Sequence, residues 1–178
     1  MSYLTRDPAF MLRLGRICAR IGIPDCRMLL AVFEFESGSN PQCVNGIGAT
    51  GLIQFMPATA RSLGTTTADL LQMSGLEQLE YVEKYLMPFR GKLHTLSDLY
   101  MAVLWPAAVG KPEDYVLWIK GEPAYRVNPM DWNADGSITK AEASRRVSEI
   151  YARICAEMLG MAMMPIGPGR NGDYYGLG

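Results

Sequence analysis

At 178 residues, 49% hydrophobic and 20% charged, the chain has an ordinary soluble composition for one compact domain with an appendage. A formal net charge of −1 argues against nucleic acid or an anionic membrane surface as partner. The lone histidine, His94, leaves too few imidazoles for a zinc hydrolase, and no apolar run is long enough to span a membrane.

Residues 1–22 read as a first helix, with Asp7-Pro8 as its cap and start and Leu12, Cys18, Ala19 and Ile21 partly on one side. Arg6, Arg13, Arg16 and Arg20 interrupt its apolar residues. The segment therefore lacks the unbroken apolar core of a signal peptide, and the chain is expected to be made in a cytoplasm and not to export itself by that route. Cys18, Cys26, Cys43 and Cys155 show no CxxC spacing; free thiols are expected, with two disulfides as the alternative.

Residues 28–37 are expected to be helical, which puts Leu29, Val32, Phe33 and Glu36 at i, i+3, i+4 and i+7 on one stripe. Glu34 falls roughly 200° away around the axis. A carboxyl at the end of a buried stripe is desolvated, so its pKa rises and it can hold a proton near neutrality. A general acid acting on a glycosidic oxygen needs that property. The alternative is an ordinary last-turn glutamate before the Gly38 stop.

Ser37-Gly38-Ser39-Asn40-Pro41 then turns the chain, and Gly46, Gly48 and Gly51 follow closely enough for backbone to approach a ligand. A short two- or three-stranded sheet is expected around 44–55, and Pro57 opens a helix that Gly64 closes. The set Glu36-Ser37, Pro41, Gly48-Ala49, Gly51-Leu52, Gln54, Met56-Pro57 and Thr59-Ala60 resembles the soluble lytic transglycosylases, a branch of the lysozyme-like superfamily, over roughly residues 23–120. The resemblance implies a mainly α, lysozyme-like α+β fold: a helical bundle with at most a small β-hairpin or sheet flanking an active-site cleft. It also implies Glu36 as catalytic acid and base, with Ser37, Gly51, Leu52, Gln54 and Met56 at the substrate.

A short helix is expected over 67–73, and Ser74-x-x-Glu77 is a capping box that opens another. Leu76, Leu79, Val82, Glu83 and Leu86 follow at helical spacing. Tyr81 and Tyr85 read first as core aromatics, and the resemblance makes Tyr85 a further substrate-binding candidate. Thr95-x-x-Asp98 caps a helix over 96–104 that stops near Pro106. Residues 102–110 look like the family's third motif, usually Ala-Tyr-Asn-Ala-Gly, with Trp105 in place of the tyrosine, Pro106 of the asparagine and Ala108 of the glycine. Trp105 is then either a platform for a sugar ring or a core aromatic. Pro112-Glu113-Asp114 signals a helix running to Gly121, and residues 121–130, with two prolines, read as irregular.

Asp131, Asn133 and Asp135 place oxygens at positions 1, 3 and 5 of an EF-hand-like calcium loop. Gly136 supplies the turn at 6, the Ser137 carbonyl serves at 7, Ile138 anchors at 8, and Glu142 stands at 12 where a bidentate carboxylate is needed. Such hard oxygens favour Ca²⁺ in a structural role; the alternative is a turn that caps the next helix. That helix is expected over 140–161, with Val147, Ile150, Ile154 and Met158 on one stripe. A single loop without an entering helix reads as a clip between core and last helix. The chain is thus expected to divide into a core over 1–122, the loop and helix over 123–164, and a Gly-rich tail over 165–178 that contacts other proteins of an assembly.

No Asp or Glu follows Glu36 until Asp69, and a single carboxylate favours a lytic route over two-carboxylate hydrolysis. The resemblance then implies peptidoglycan as substrate, cleavage of the MurNAc-β-1,4-GlcNAc bond and a 1,6-anhydroMurNAc product. Residues 99–112 look most like phage tail- or virion-associated members, which implies a virion enzyme acting at the host periplasm and cell wall. The alternatives are a goose-type hydrolytic lysozyme or endolysin, and a structural tail protein with a degenerate glycan cleft.

Overall fold

The computed structural model describes residues 3–162. Helix α1 (Pro8–Ile21) starts at Pro8 because Asp7 caps it, accepting the Ala9 N–H, and it stops at Gly22 with φ 88°. Helix α2 (Cys26–Ser37) is capped in the same way by Asp25 and ends at Gly38, φ 61°. Helices α3 (Pro57–Ser62), α4 (Thr67–Gln72) and α5 (Gly75–Leu86) follow, the last two each opened by a reciprocal capping box. Helix α6 (Leu96–Leu104) is capped by Thr95 and stops before Pro106. Strand β1 (Val116–Ile119), helix α7 (Pro123–Val127), strand β2 (Ser137–Thr139) and helix α8 (Lys140–Ala162) complete the described chain. The architecture is mainly helical with one small antiparallel sheet, as the lysozyme-like expectation requires.

Helix α2 lies at the centre, against α1, α6 and α8. Its Leu29, Val32 and Phe33 are fully buried with Phe10, Leu14 and Ile17 of α1 and Leu79, Val82 and Leu86 of α5. Each such side chain contributes about 1.5–3 kcal/mol on burial, and the shared stripe fixes the rotation of α2. Glu83, almost buried on α5, takes both Arg13 (2.6 Å) and Arg20 (3.1 Å) from α1. Helix α8 is held on α2 from its other side, where the Tyr151 hydroxyl donates to the Asp25 carboxylate at 2.7 Å. All four cysteines are free thiols.

Four expectations need correction. Residues 112–121 form a turn and strand β1 instead of a helix: Val116-Leu117-Trp118-Ile119 is branched and aromatic, and it pairs with 137–139, which outweighs the Pro-Glu-Asp start signal. Residues 121–130 are not wholly irregular, because Pro123 sits at the first position of α7 and pre-sets its backbone. Leu76 is exposed; the buried stripe of α5 runs through Gly75 and Gln78 instead. Around 44–55 the expected sheet is reduced to two single bridges, Val44 to Thr50 and Thr50 to Phe55, since successive positive-φ turns leave no extended run. The tail expected over 165–178, and the contacts expected of it, lie outside the described residues. Among the described residues no helix is long and apolar enough to cross a membrane.

Candidate active site

The rotation of α2 sends its two glutamates to different places. Glu34 lines a cavity between α2 and α8, where it accepts from the Ser39 hydroxyl at 2.8 Å and lies 3.6 Å from Arg153. Glu36 lines a separate cavity of about 580 Å³ whose walls come from the 45–59 loop, Tyr85 of α5, Val103 and Leu104 of α6, and Val127-Asn128 at the end of α7. Among the described residues it is the one carboxylate there, and it has no ion pair and accepts no hydrogen bond. Burial alone pushes its pKa up to about 7. Two phenols stand close by: Tyr85 and the buried Tyr100 are both raised, first by burial and then by the Glu36 charge. Glu36 is therefore protonated about as often as not near neutral pH, the state in which one carboxyl can both give and take a proton.

The loop facing Glu36 is built on a buried amide. Gln78, fully buried on α5, accepts the Leu52 N–H at 2.9 Å and donates to the carbonyls of Pro41 (2.7 Å) and Leu70 (2.8 Å). Gly51 passes directly over this amide with φ 85°, and a Cβ there would run into Gln78 Oε1. Gly51→Ala is expected to lower stability by about 1–3 kcal/mol from backbone strain, with further loss from the clash. Chemical denaturation would check it, and an unchanged midpoint would contradict this account of the loop. Gln54 follows in the left-handed region, φ 53°, with Nε2 donating to the carbonyls of Gly51 (3.0 Å) and Cys43 (3.3 Å). Both amide hydrogens being committed, Oε1 is the atom Gln54 has free to accept from a ligand. Asn45 is the converse: its Oδ1 accepts from Ile47 and Ala49 N–H, leaving Nδ2 as a donor.

A family model, the Transglycosylase SLT domain, matches residues 23–79. Over 44 residues the chain is 52% identical to a protein named "Transglycosylase" from Enterobacteria phage PRD1. That match covers 25% of this chain and only 17% of the relative's length. No solved structure matches the chain.

Four of the expected catalytic and substrate residues line the Glu36 cavity: Glu36, Gln54 and Met56 of the matched stretch, and Tyr85 beyond it. The Tyr85 hydroxyl donates to the Ala102 carbonyl at 2.8 Å. Three others support this stretch from behind. The buried Ser37 hydroxyl donates to the carbonyls of Phe33 (3.0 Å) and Leu52 (3.1 Å), Leu52 is fully buried, and Gly51 rests on Gln78. Trp105 does not line the cavity; it is partly exposed, edge-on to Trp118 at 5.6 Å. Asp69 caps α4 through the Thr66 N–H and hydroxyl and does not line the cavity either. Sequence reading overlooked Gln78, although an amide in line with Leu79 and Val82 was a signal, and it overlooked Tyr100, which nothing in its apolar helix distinguishes.

Beyond the matched stretch, the 131–142 loop expected to hold calcium turns through Ala134 at φ 59° and Gly136 at φ 89°. Its side-chain oxygens are turned on its own chain: Asp131 accepts from Asp135 N–H (3.2 Å), Gly136 N–H (3.0 Å) and the Tyr125 hydroxyl (2.6 Å), and Asp135 accepts from Ser137 N–H (2.8 Å). One Glu142 oxygen caps α8 through Thr139 N–H (2.9 Å), while Oε1 is buried with no partner. Among the described residues, no three His, Cys, Asp or Glu side chains are already gathered as metal ligands.

Proposed function

We propose that this chain is a peptidoglycan lytic transglycosylase that uses Glu36 alone as acid and base. The observation that carries this reading is the solitary, desolvated carboxyl in a cavity large enough for sugar rings. Protonated Glu36 donates to the glycosidic oxygen as it leaves C1 of N-acetylmuramic acid, and the substrate's acetamido oxygen stabilises the cation-like state. Ionised Glu36 then takes the proton of the C6 hydroxyl, which attacks C1 and closes a 1,6-anhydro ring. An intramolecular hydroxyl has a high effective concentration, so no second carboxylate is needed to activate water. Incubating purified peptidoglycan with the chain tests the reading: soluble muropeptides should be released, and their absence would refute it. The phage relative supports a phage setting. Within it, we place the enzyme in the virion or tail, opening the wall locally, with residues 165–178 binding other virion proteins.

The same reading gives the 131–142 loop a structural Ca²⁺, held by Asp131, Asn133, Asp135, the Ser137 carbonyl and Glu142. Hard oxygens at this spacing and the unpartnered Glu142 Oε1 support it. The ion would supply charge neutralisation and a cross-link between loop and α8. Ca²⁺ at a hundred times its Kd is expected to raise stability by about 2.7 kcal/mol, read as a higher Tm that a chelator reverses. Glu142→Gln should remove the response; a Tm indifferent to Ca²⁺ and chelator would rule the site out.

A further inference from the structure

We propose that Tyr125 couples the 131–142 loop to the Glu36 cavity, so that Ca²⁺ in the loop tightens glycan binding in the cavity. The inference rests on the two readings above, a glycan cleft at Glu36 and Ca²⁺ in the loop, and adds a link between them. On the cleft side, Val127 and Asn128 at the end of α7 form part of the cavity wall. On the loop side, Asp131 stands at the first ligand position, and only Pro129 and Met130 separate it from Asn128. The Met130 N–H donates to the Asn128 carbonyl at 2.8 Å and Pro129 fixes its own φ, so the connection has little slack.

Tyr125 closes the link through space. It lies on α7, half-buried against the core, and its hydroxyl donates to Asp131 Oδ2 at 2.6 Å. The same oxygen accepts the Gly136 N–H at 3.0 Å, while Oδ1 has the longer contact, 3.2 Å to the Asp135 N–H. The carboxylate is thus held mainly by Oδ2, which leaves Oδ1 the better placed to meet an ion. A hydrogen bond to the other oxygen of a ligand carboxylate fixes its direction, and such outer partners set metal affinity. Other hydrogen bonds of α7 are local: Asn128 Nδ2 donates to the Ala124 carbonyl at 2.8 Å, and Glu122 accepts the Ile119 N–H at 3.0 Å. Among the described residues, the Tyr125 hydroxyl makes the hydrogen bond that joins α7 to the loop. Without an ion, the like charges of Asp131, Asp135 and Glu142 repel one another along the loop. Ca²⁺ cancels that repulsion and makes Asp131 a fixed anchor for Tyr125, and through it for the wall at Val127 and Asn128. By linkage, a bound glycan must tighten Ca²⁺ by the same factor.

Two affinities test the coupling without cleavage, both in the Glu36→Gln variant. Ca²⁺ is titrated against a chelating dye, and peptide-free MurNAc–GlcNAc oligomers are titrated calorimetrically in Ca²⁺ and in EGTA. Ca²⁺ is expected to tighten the oligomer about fivefold. Tyr125→Phe keeps the ring and its packing; it should weaken Ca²⁺ about tenfold and abolish the oligomer's margin even when Ca²⁺ is saturating. A Ca²⁺ affinity unmoved by Tyr125→Phe, or an oligomer affinity indifferent to Ca²⁺, overturns the coupling while both sites stand. If Ca²⁺ does not bind, the reading of the loop fails and the coupling falls with it. If the oligomer binds in neither condition, the reading of the cleft fails, with the same consequence.

Discussion

Glu36→Gln is expected to lower release of fragments from purified cell walls by about a thousandfold or more, because glutamine can neither protonate the leaving oxygen nor accept the C6 proton. The same substitution should make the fold more stable at alkaline pH. Burial raises the Glu36 pKa from 4.5 to about 7, so the folded state binds more protons than the unfolded state between those values. Stability contributed by the protonated carboxyl is complete below pH 4.5 and is lost as pH rises to about 7. At about 1.36 kcal/mol per pH unit, with some relief from the cavity's water, the ionised carboxylate costs about 2–3 kcal/mol above pH 7. Glu36→Gln removes that cost, and the two proteins should converge below pH 4.5. Denaturation curves at several pH values would show it; a variant equally stable or weaker at pH 8 would mean Glu36 is solvated. Since the reaction starts from the protonated acid, kcat/KM should also fall as pH rises through about 7.

Asp98→Ala is expected to destabilise the protein by about 3–5 kcal/mol, the second large effect. Lys140, fully buried at the start of α8, lies 2.6 Å from Asp98 and donates to the Lys111 carbonyl at 2.7 Å. Without Asp98 the ammonium keeps only that carbonyl and a glutamate oxygen at 3.9 Å. Lys140→Met should cost less, about 1–3 kcal/mol, because Asp98 retains the Gly110 N–H (2.8 Å) and the Thr95 hydroxyl (2.9 Å). Urea denaturation of both variants measures the asymmetry, and equal costs would mean the pair is wetter than its burial indicates. This pair seats α8, and the segment before α8 supplies Val127 and Asn128 to the Glu36 cavity, so Asp98→Ala should impair activity as well.

The parts of this fold legible in the sequence are those set by local rules. The stripe Leu29, Val32, Phe33, Glu36 predicted which glutamate enters the cleft, because helical periodicity sends Glu34 elsewhere whatever surrounds it. Asp7, Ser74 and Thr95 announced helix starts by side-chain bonds made within three residues. What stayed hidden depends on partners distant in the chain. Strand β1 exists because residues 137–139 pair with it, against a local helix signal. Gln78 and Lys140 are polar groups whose burial is tolerable only because Leu52, Pro41 and Leu70, or Asp98 and Lys111, come to meet them. Trp105 stands where the motif that residues 102–110 resemble has a tyrosine, yet Trp118 of the unforeseen strand packs against it, away from the cavity.

In the proposed reaction one carboxyl acts with no helper, and the chemistry of the new sugar ends reports on that directly. Peptidoglycan digested in heavy-oxygen water and examined by mass spectrometry should yield anhydro termini, lighter by one water than hydrolysed ends and free of the label. Reducing ends that carry heavy oxygen would show that water attacks C1, and the single-carboxylate account would be wrong.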